Sequence, residues 1–220
     1  SSFRVTKDHK YMSYGLDLTG NEKYDLMIYN IDTKEVFDHE LPELTYCDYT
    51  WFNEYIYYTV GDKQNRMYQL WRYNTVNKNK EMIYENLDDL VTVGFSMSND
   101  RKYFFISAGS YETSDYYYFT HDCTEVHKFT PKVESHKYSV DYHEGNFLIT
   151  TNKDNSTNFK VMICPEENTH VDNWEEFITY NDSVYIKYIV EIKDFLLIGF
   201  KEDGHNLVKV IPYKNSNYLI

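Results

Sequence analysis

Residues His136 to Pro165 read HKYSVDYHEGNFLITTNKDNSTNFKVMICP. The stretch holds an alternating segment, Tyr138–Val140, a turn-prone cluster, Glu144–Asn146, and an apolar run, Phe147–Thr150. A polar tip, Asn152-Lys153-Asp154-Asn155-Ser156, then leads into strand composition over Asn158–Ile163. Period-2 alternation marks strands, and clusters of Asn, Asp, Gly and Ser between such runs mark tight reversals, so two hairpins follow one another here. A fourth strand over Trp174–Tyr180 completes an antiparallel meander.

The same unit recurs on both sides. Runs at Tyr11–Tyr14, Tyr55–Tyr58, Tyr103–Ile106 and Phe195–Ile198 line up with Phe147–Thr150, and successive starts are 44, 48, 44 and 48 residues apart. Turn clusters precede the runs at Asp8–Lys10, Asn53–Glu54, Asn99–Arg101 and Lys193–Asp194. Third strands follow at Tyr24–Asn30, Met67–Tyr73, Asp115–Thr120 and Asn206–Ile211, and fourth strands at Glu35–Phe37, Glu81–Tyr84, Glu125–Phe129 and Tyr218–Ile220. A single meander has two apolar faces and cannot bury both; radial stacking buries each against a neighbour and leaves only short edges. A β-sandwich has no reason to repeat at a fixed interval. The expected fold is therefore all-β, a β-propeller of four-stranded antiparallel blades with about five repeats of roughly 45 residues. The blades are expected at residues 1–40, 41–86, 87–131, 132–181 and 182–220.

Composition narrows the function. Thirty-five acidic against 22 basic side chains give a formal charge of −13 over 220 residues. That balance argues against a sequence-independent grip on nucleic acid or anionic lipid. The 24 Tyr and 13 Phe, with only 8 Gly and 4 Pro, suit strands and a packed core. Cys47, Cys123 and Cys164 are widely spaced and form no C-x-x-C pair, so neither a disulfide framework nor a zinc site is signalled, and a reducing, cytoplasmic location is expected. The most apolar stretch, Val184–Phe200, is interrupted by Lys187, Glu191, Lys193 and Asp194, which rules it out as a helical bilayer span. No membrane association is expected.

The His136–Pro165 stretch resembles the propeller domain of the oligopeptidase B group (protease II) within the prolyl oligopeptidase family. The resemblance rests there on His136, Tyr138, Val140, Asp141, Thr151, Asn152, Asn158, Phe159 and Pro165; Lys137 and Tyr142 depart from the family's usual Glu and His. Tyr58 with Arg66 and Leu70-Trp71-Arg72, Tyr84-Glu85 with Asp88, and Thr113-Ser114-Asp115 are similar to further family blocks in the same order. The resemblance implies a seven-bladed propeller, of which this chain is a fragment, beside an α/β-hydrolase domain that carries the Ser, Asp and His of a catalytic triad. It also implies cleavage of short peptides after Arg or Lys, with the propeller limiting access by large proteins. The hydrolase domain is then the chain's partner, and the chain by itself is expected to be inactive and to self-associate through the face left uncovered.

The residues encode little chemistry of their own. Gly94-Phe95-Ser96-Met97-Ser98 lacks the last Gly of a nucleophile elbow and runs into another strand, not a helix. No triad is expected in this chain. Eight histidines show no H-x-x-x-H spacing, the tip Asn152–Asn158 carries one acid, and no metal or cofactor is expected. The pairs Glu40/Glu43, Asp88/Asp89 and Glu175/Glu176 read as solvated surface, so a glycan-active propeller has no motif behind it. Trp51, Trp71 and Trp174 read as fillers between blades. The tips between second and third strands collect acids: Asp17 (with Glu22), Asp62, Glu112, Asp115, Asp154, Glu202 and Asp203. An acidic mouth would steer cationic peptides, although Lys23, Lys63, Lys153 and Lys201 share these tips. The alternative is a stand-alone propeller that scaffolds protein partners, for which the WD dipeptides common in such domains are absent.

Overall fold

The structure, a computed structural model, describes residues 3–37, 41, 44–46 and 48–213. Cys47, the pair Glu40/Glu43 and the expected strand Tyr218–Ile220 lie outside the described residues. Among the described residues every regular element is a strand apart from one 3-10 turn, Val171–Asn173. The strands form five antiparallel sheets. The first holds β1 (Phe3–Val5), β2 (Tyr11–Leu16), β3 (Lys23–Asn30) and β4 (Val36–Phe37), with β5 (Leu44–Thr45) also paired to β3. The second is β6 (Tyr49–Phe52), β7 (Tyr55–Gly61), β8 (Met67–Asn74) and β9 (Lys80–Glu85). The third is β10 (Thr92–Met97), β11 (Tyr103–Gly109), β12 (Ser114–Thr120) and β13 (His127–Lys128). The fourth is β14 (Tyr138–His143), β15 (Asn146–Thr151), β16 (Lys160–Pro165) and β17 (Glu175–Ile178). The fifth has three strands among the described residues, β18 (Val184–Ile192), β19 (Phe195–Glu202) and β20 (His205–Pro212). Apart from β5, the order of strands in space follows their order in the chain in each sheet, which is the expected meander.

The chain forms two compact units, divided between Phe95 and Ser96. In the first, Leu26, Ile28 and Leu44 pack against Tyr49, Ile56, Tyr58 and Tyr73, with Trp51 and Trp71 at the margin. Tyr57, on the opposite face of β7, stacks on Phe95 at 5.6 Å. In the second unit the fourth sheet is buried on both faces. Phe147, Ile149, Met162 and Cys164 join Tyr103, Phe105, Phe129 and Trp174 on one side. Leu148 and Val161 join Ile186, Leu196, Ile198 and Ile211 on the other. Adjacent residues of one strand thus enter different cores, which is why β15 and β7 read as continuous apolar runs without clean alternation.

The register corrects one alignment. The second strands begin at Tyr11, Tyr55, Tyr103, Asn146 and Phe195, so the counterpart of Tyr103 and Phe195 is Asn146 and not Phe147. Phe147 instead faces the preceding sheet, as Ile56 and Leu196 do. Because side chains alternate along a strand, a one-residue shift exchanges the two faces.

Candidate functional site

The seven acids proposed for steering have distinct local roles. Asp17 sits at the β2–β3 tip and accepts N–H bonds from Thr19 (3.1 Å), Gly20 (2.6 Å) and Glu22 (3.0 Å). Desolvation opposes its charge, but these backbone donors hold its carboxyl below the ordinary Asp value. Asp62 accepts from the N–H groups of Gln64 (2.8 Å) and Arg66 (3.0 Å) and pairs with the Arg66 guanidinium at 2.9 Å. Arg66 in turn donates to the carbonyls of Asp88 (3.0 Å) and Val91 (2.8 Å), tying the β7–β8 tip to the segment after β9. Asp154 pairs with Lys153 (3.2 Å) and Lys160 (3.1 Å), whose hydrogen bonds lower its pKa. Asp115 lies within β12, buried, with Lys128 Nζ at 3.3 Å.

The other three have no such duties: Glu112 and Asp203 are exposed, and Glu202 is half-buried. Glu112 is exposed in the β11–β12 connection, and Glu202 and Asp203 lie at the β19–β20 tip. None makes an ion pair or side-chain hydrogen bond among the described residues. Asp203 and Gly204 form a two-residue hairpin loop with φ of 47° and 82°, the left-handed pair that Asp-Gly favours. In the second unit Glu112, Asp154 and Asp203 therefore occupy successive second-to-third-strand connections, while Asp115 lies in β12 and Glu202 ends β19.

Groups with latent reactivity are committed elsewhere. Ser96 lies inside β10 with strand on both sides, and no helix follows it. Burial pushes the Cys164 thiol up to about 12, so it is no nucleophile at neutral pH. His136 is buried, holds Thr151 Oγ1 at 2.8 Å through Nε2 and stacks on Tyr138; burial lowers its pKa. No cluster of three or more His, Cys, Asp or Glu suited to a metal occurs among the described residues. The three tryptophans fill space against the cores, as expected, each N–H finding an acceptor at 2.8–2.9 Å.

The sequence profile of the family described as prolyl oligopeptidase, N-terminal beta-propeller domain, matches residues 1–220. The chain belongs to this family. Among curated proteins it is similar to Protease 2 of Moraxella lacunata, 27% identical over 215 residues covering 94% of the chain and 31% of that protein. It is also similar to Dipeptidyl aminopeptidase BI of Pseudoxanthomonas mexicana, 22% identical with 98% and 30% covered. Among solved structures, oligopeptidase B from Leishmania major superposes with a TM-score of 0.87 at 16% identity, covering 99% of the chain and 32% of that one. Oligopeptidase B from Trypanosoma brucei, with covalently bound antipain in a closed form, gives 0.84 at 21% identity, with 98% and 31% covered. The chain thus spans about a third of the length of these proteins.

Two polar clusters of the second unit escaped the sequence reading. In one, the Glu166 carboxylate accepts from Lys102 Nζ (2.5 Å), Tyr142 Oη (2.7 Å) and Tyr103 Oη (3.1 Å). It clasps the β10–β11 turn and β11 to β14 from the end of β16, and only the 64-residue separation hid it. In the other, Asp141 and Glu191 face each other's charge from β14 and β18. A visible signal existed for the second alone: Asp141 and Glu191 are acids inside strand-like segments.

Proposed function

We propose that this chain is the non-catalytic, substrate-gating propeller part of a serine oligopeptidase that cleaves short peptides after Arg or Lys in the cytoplasm. The family match across residues 1–220 carries the reading, and the oligopeptidase B likeness supports the choice of substrate. The hydrolase triad lies outside these residues. The fifth sheet supports the same reading, because Tyr188, Val190, Ile192, Phe195, Val208 and Val210 leave one of its faces apolar and exposed. A further blade of the same construction covers that face in the whole protein, and the isolated chain self-associates through it. Glu112, Glu202 and Asp203, whose carboxylates are not spent on holding their loops, steer the basic peptide.

The test begins with the intact mass of the native protein in its source cell. A polypeptide about three times this length is expected, cleaving short Arg and Lys peptides but not folded proteins, and blocked by a serine-reactive inhibitor. In that polypeptide, E112Q, E202Q and D203N together should lower kcat/KM for a cationic peptide and flatten its salt dependence, leaving a neutral-flanked substrate unaffected. A native chain that ends near Ile220, or hydrolysis indifferent to Arg and Lys, would remove the peptidase reading in favour of a scaffold.

A further inference from the structure

A β-bulge places a carboxyl group where no partner awaits it. Val184 and Ile186 of β18 point into the core shared with the fourth sheet, and strict alternation would send Tyr188, Val190 and Ile192 after them. The register instead slips between Ile186 and Tyr188, leaving Lys187 without an opposite residue. From there the faces are exchanged: Tyr188, Val190 and Ile192 are exposed, and Glu191 is buried with 4% of its surface accessible. Tyr188 spends its exposure covering Gly199, where an added Cβ would lie 2.2 Å from its ring.

Both carboxyl oxygens of Glu191 are buried without a hydrogen-bond partner, and so are Tyr213 Oη and His143 Nε2. These make up four of the six such atoms among the described residues. The groups around Glu191 are acidic or neutral. Asp141 of β14 and Asp100 of the β10–β11 turn both act on its charge, and Tyr213, after β20, senses Glu191, Asp141 and Glu144. His143 stacks on Tyr213 at 3.7 Å, and the Asn99 amide donates to the Glu191 backbone carbonyl at 2.8 Å, not to its carboxyl. Lys193 and Asp194 in its own turn are exposed, and nearby Lys102 is held by Glu166.

An ionised carboxylate buried without a donor or a cation is costly, so such a group takes up a partner or a proton. Among the described residues no cluster of three His, Cys, Asp or Glu side chains surrounds this carboxyl, and neither of its oxygens has a hydrogen-bond partner. We propose that Glu191 is held as the neutral acid of a half-ionised Asp141–Glu191 pair, and that its loss of a proton at alkaline pH forces apart the seam between β14 and β18. Burial first, then the Asp141 and Asp100 charges, raise the Glu191 pKa to about 9, and burial raises Asp141 to about 6. The pair therefore carries one charge between those two steps. Unfolded Glu ionises near 4.3, so across this window the native state holds a proton that the unfolded state has lost. Stability falls as pH rises toward the folded value and is level beyond it.

The experiment follows the thermal midpoint of the protein and of E191Q from pH 7 to 9.5, above the Asp141 step. Gln copies the neutral acid in both the folded and unfolded states, so E191Q should already melt several degrees above the unmodified protein at pH 7, and the gap should widen by on the order of 5–10 °C by pH 9. In D141N the fall should level off at a lower pH, because one of the raising charges is gone. Hydrogen exchange at Glu191, Ile192 and Leu196, corrected for intrinsic rate, should accelerate over the same window only when Glu191 is present. Parallel pH profiles would overturn the proposal. So would a loss of several degrees in E191Q at pH 7, or stabilisation of the unmodified protein, but not E191Q, by potassium or calcium ions. Those last two results would mean that the carboxylate is ionised and holds a cation.

Discussion

Replacing Phe147 by Ala should be among the costliest single changes in the second unit. Its side chain is 0% exposed, with five aromatic rings around it. Ring centroids lie at 5.0 Å for Tyr103, 5.1 Å for Phe129, 5.4 Å for Tyr142, 5.6 Å for Tyr118 and 6.0 Å for Phe105. Truncation removes the ring from a site where rigid sheets on both sides limit collapse. The lost transfer energy and the hole together cost about 3–5 kcal/mol, a large share of the stability of an ordinary domain. Phe147→Leu, which keeps most of the volume, should cost about 1–2 kcal/mol. The contrast is Phe195, also near the start of a second strand but 40% exposed on the open face of the fifth sheet. Phe195→Ala should cost less than about 1 kcal/mol in the 220-residue chain. Urea unfolding measures both, read through Trp174, the one tryptophan of the second unit and a member of the same cluster. A Trp174→Phe control identifies its part of the signal. Equal losses at the two positions would refute the assignment of buried and open faces. A loss below about 1.5 kcal/mol for Phe147→Ala would refute the packing argument itself.

Other perturbations test the clasp and the tips. Glu166→Ala strands two mostly buried tyrosine hydroxyls and Lys102, and should cost about 2–4 kcal/mol, against about 1 kcal/mol for Glu166→Gln, which still accepts hydrogen bonds. Hydrogen bonds from Lys102 and then Tyr142 hold the Glu166 pKa below its usual value, so its stabilisation is present above the ordinary Glu range and is lost as pH falls through the depressed value. Acid unfolding of Glu166→Gln should lack that component; an unchanged acid profile would count against the clasp. Gly204→Val should cost about 1–2 kcal/mol from its φ of 82° alone, since an added Cβ there meets nothing within 4 Å. Asp203→Asn, with φ of 47°, should be neutral in the same melting experiment.

The meander was legible because its signals are local. Polar tips and apolar runs recur at a nearly constant interval, and each predicted tip separates two paired strands, although Asp115 and Glu202 fall inside the strands themselves. Legibility failed where faces had to be assigned. A blade buried on both sides carries apolar residues on both parities, as at Tyr57 and Tyr58, so alternation no longer distinguishes one face from the other. That is why the apolar runs alone align Phe147 with Tyr103 and Phe195, one residue out of frame. The acidic tips show a different limit: composition located the charges, but only the backbone geometry separates Asp17 and Asp62, which hold their loops, from Glu202 and Asp203, which do not. The Glu166 clasp joins residues 64 apart and leaves no local pattern.

Glu191 illustrates the deepest reason. Read with period 2 from Val184 and Ile186, it falls on the outward face among Tyr185 and Lys187, where an acid is unremarkable. The apolar Tyr188, Val190 and Ile192 would fall inward, as in any half-buried strand. One unpaired residue at Lys187 reverses both assignments at once, burying the acid and exposing the apolar set. The same slip therefore produces the unpartnered carboxyl of the β14–β18 seam and the open apolar face proposed to meet a further blade. If that face is covered in the whole protein, the bulge stabilises one interface while placing an ionisable group in another. Deleting Lys187 should then restore strict alternation, return Glu191 to solvent, abolish the alkaline loss of stability and bury the side chains that the next blade requires. A deletion variant that keeps the alkaline loss would separate the two features and refute their common origin.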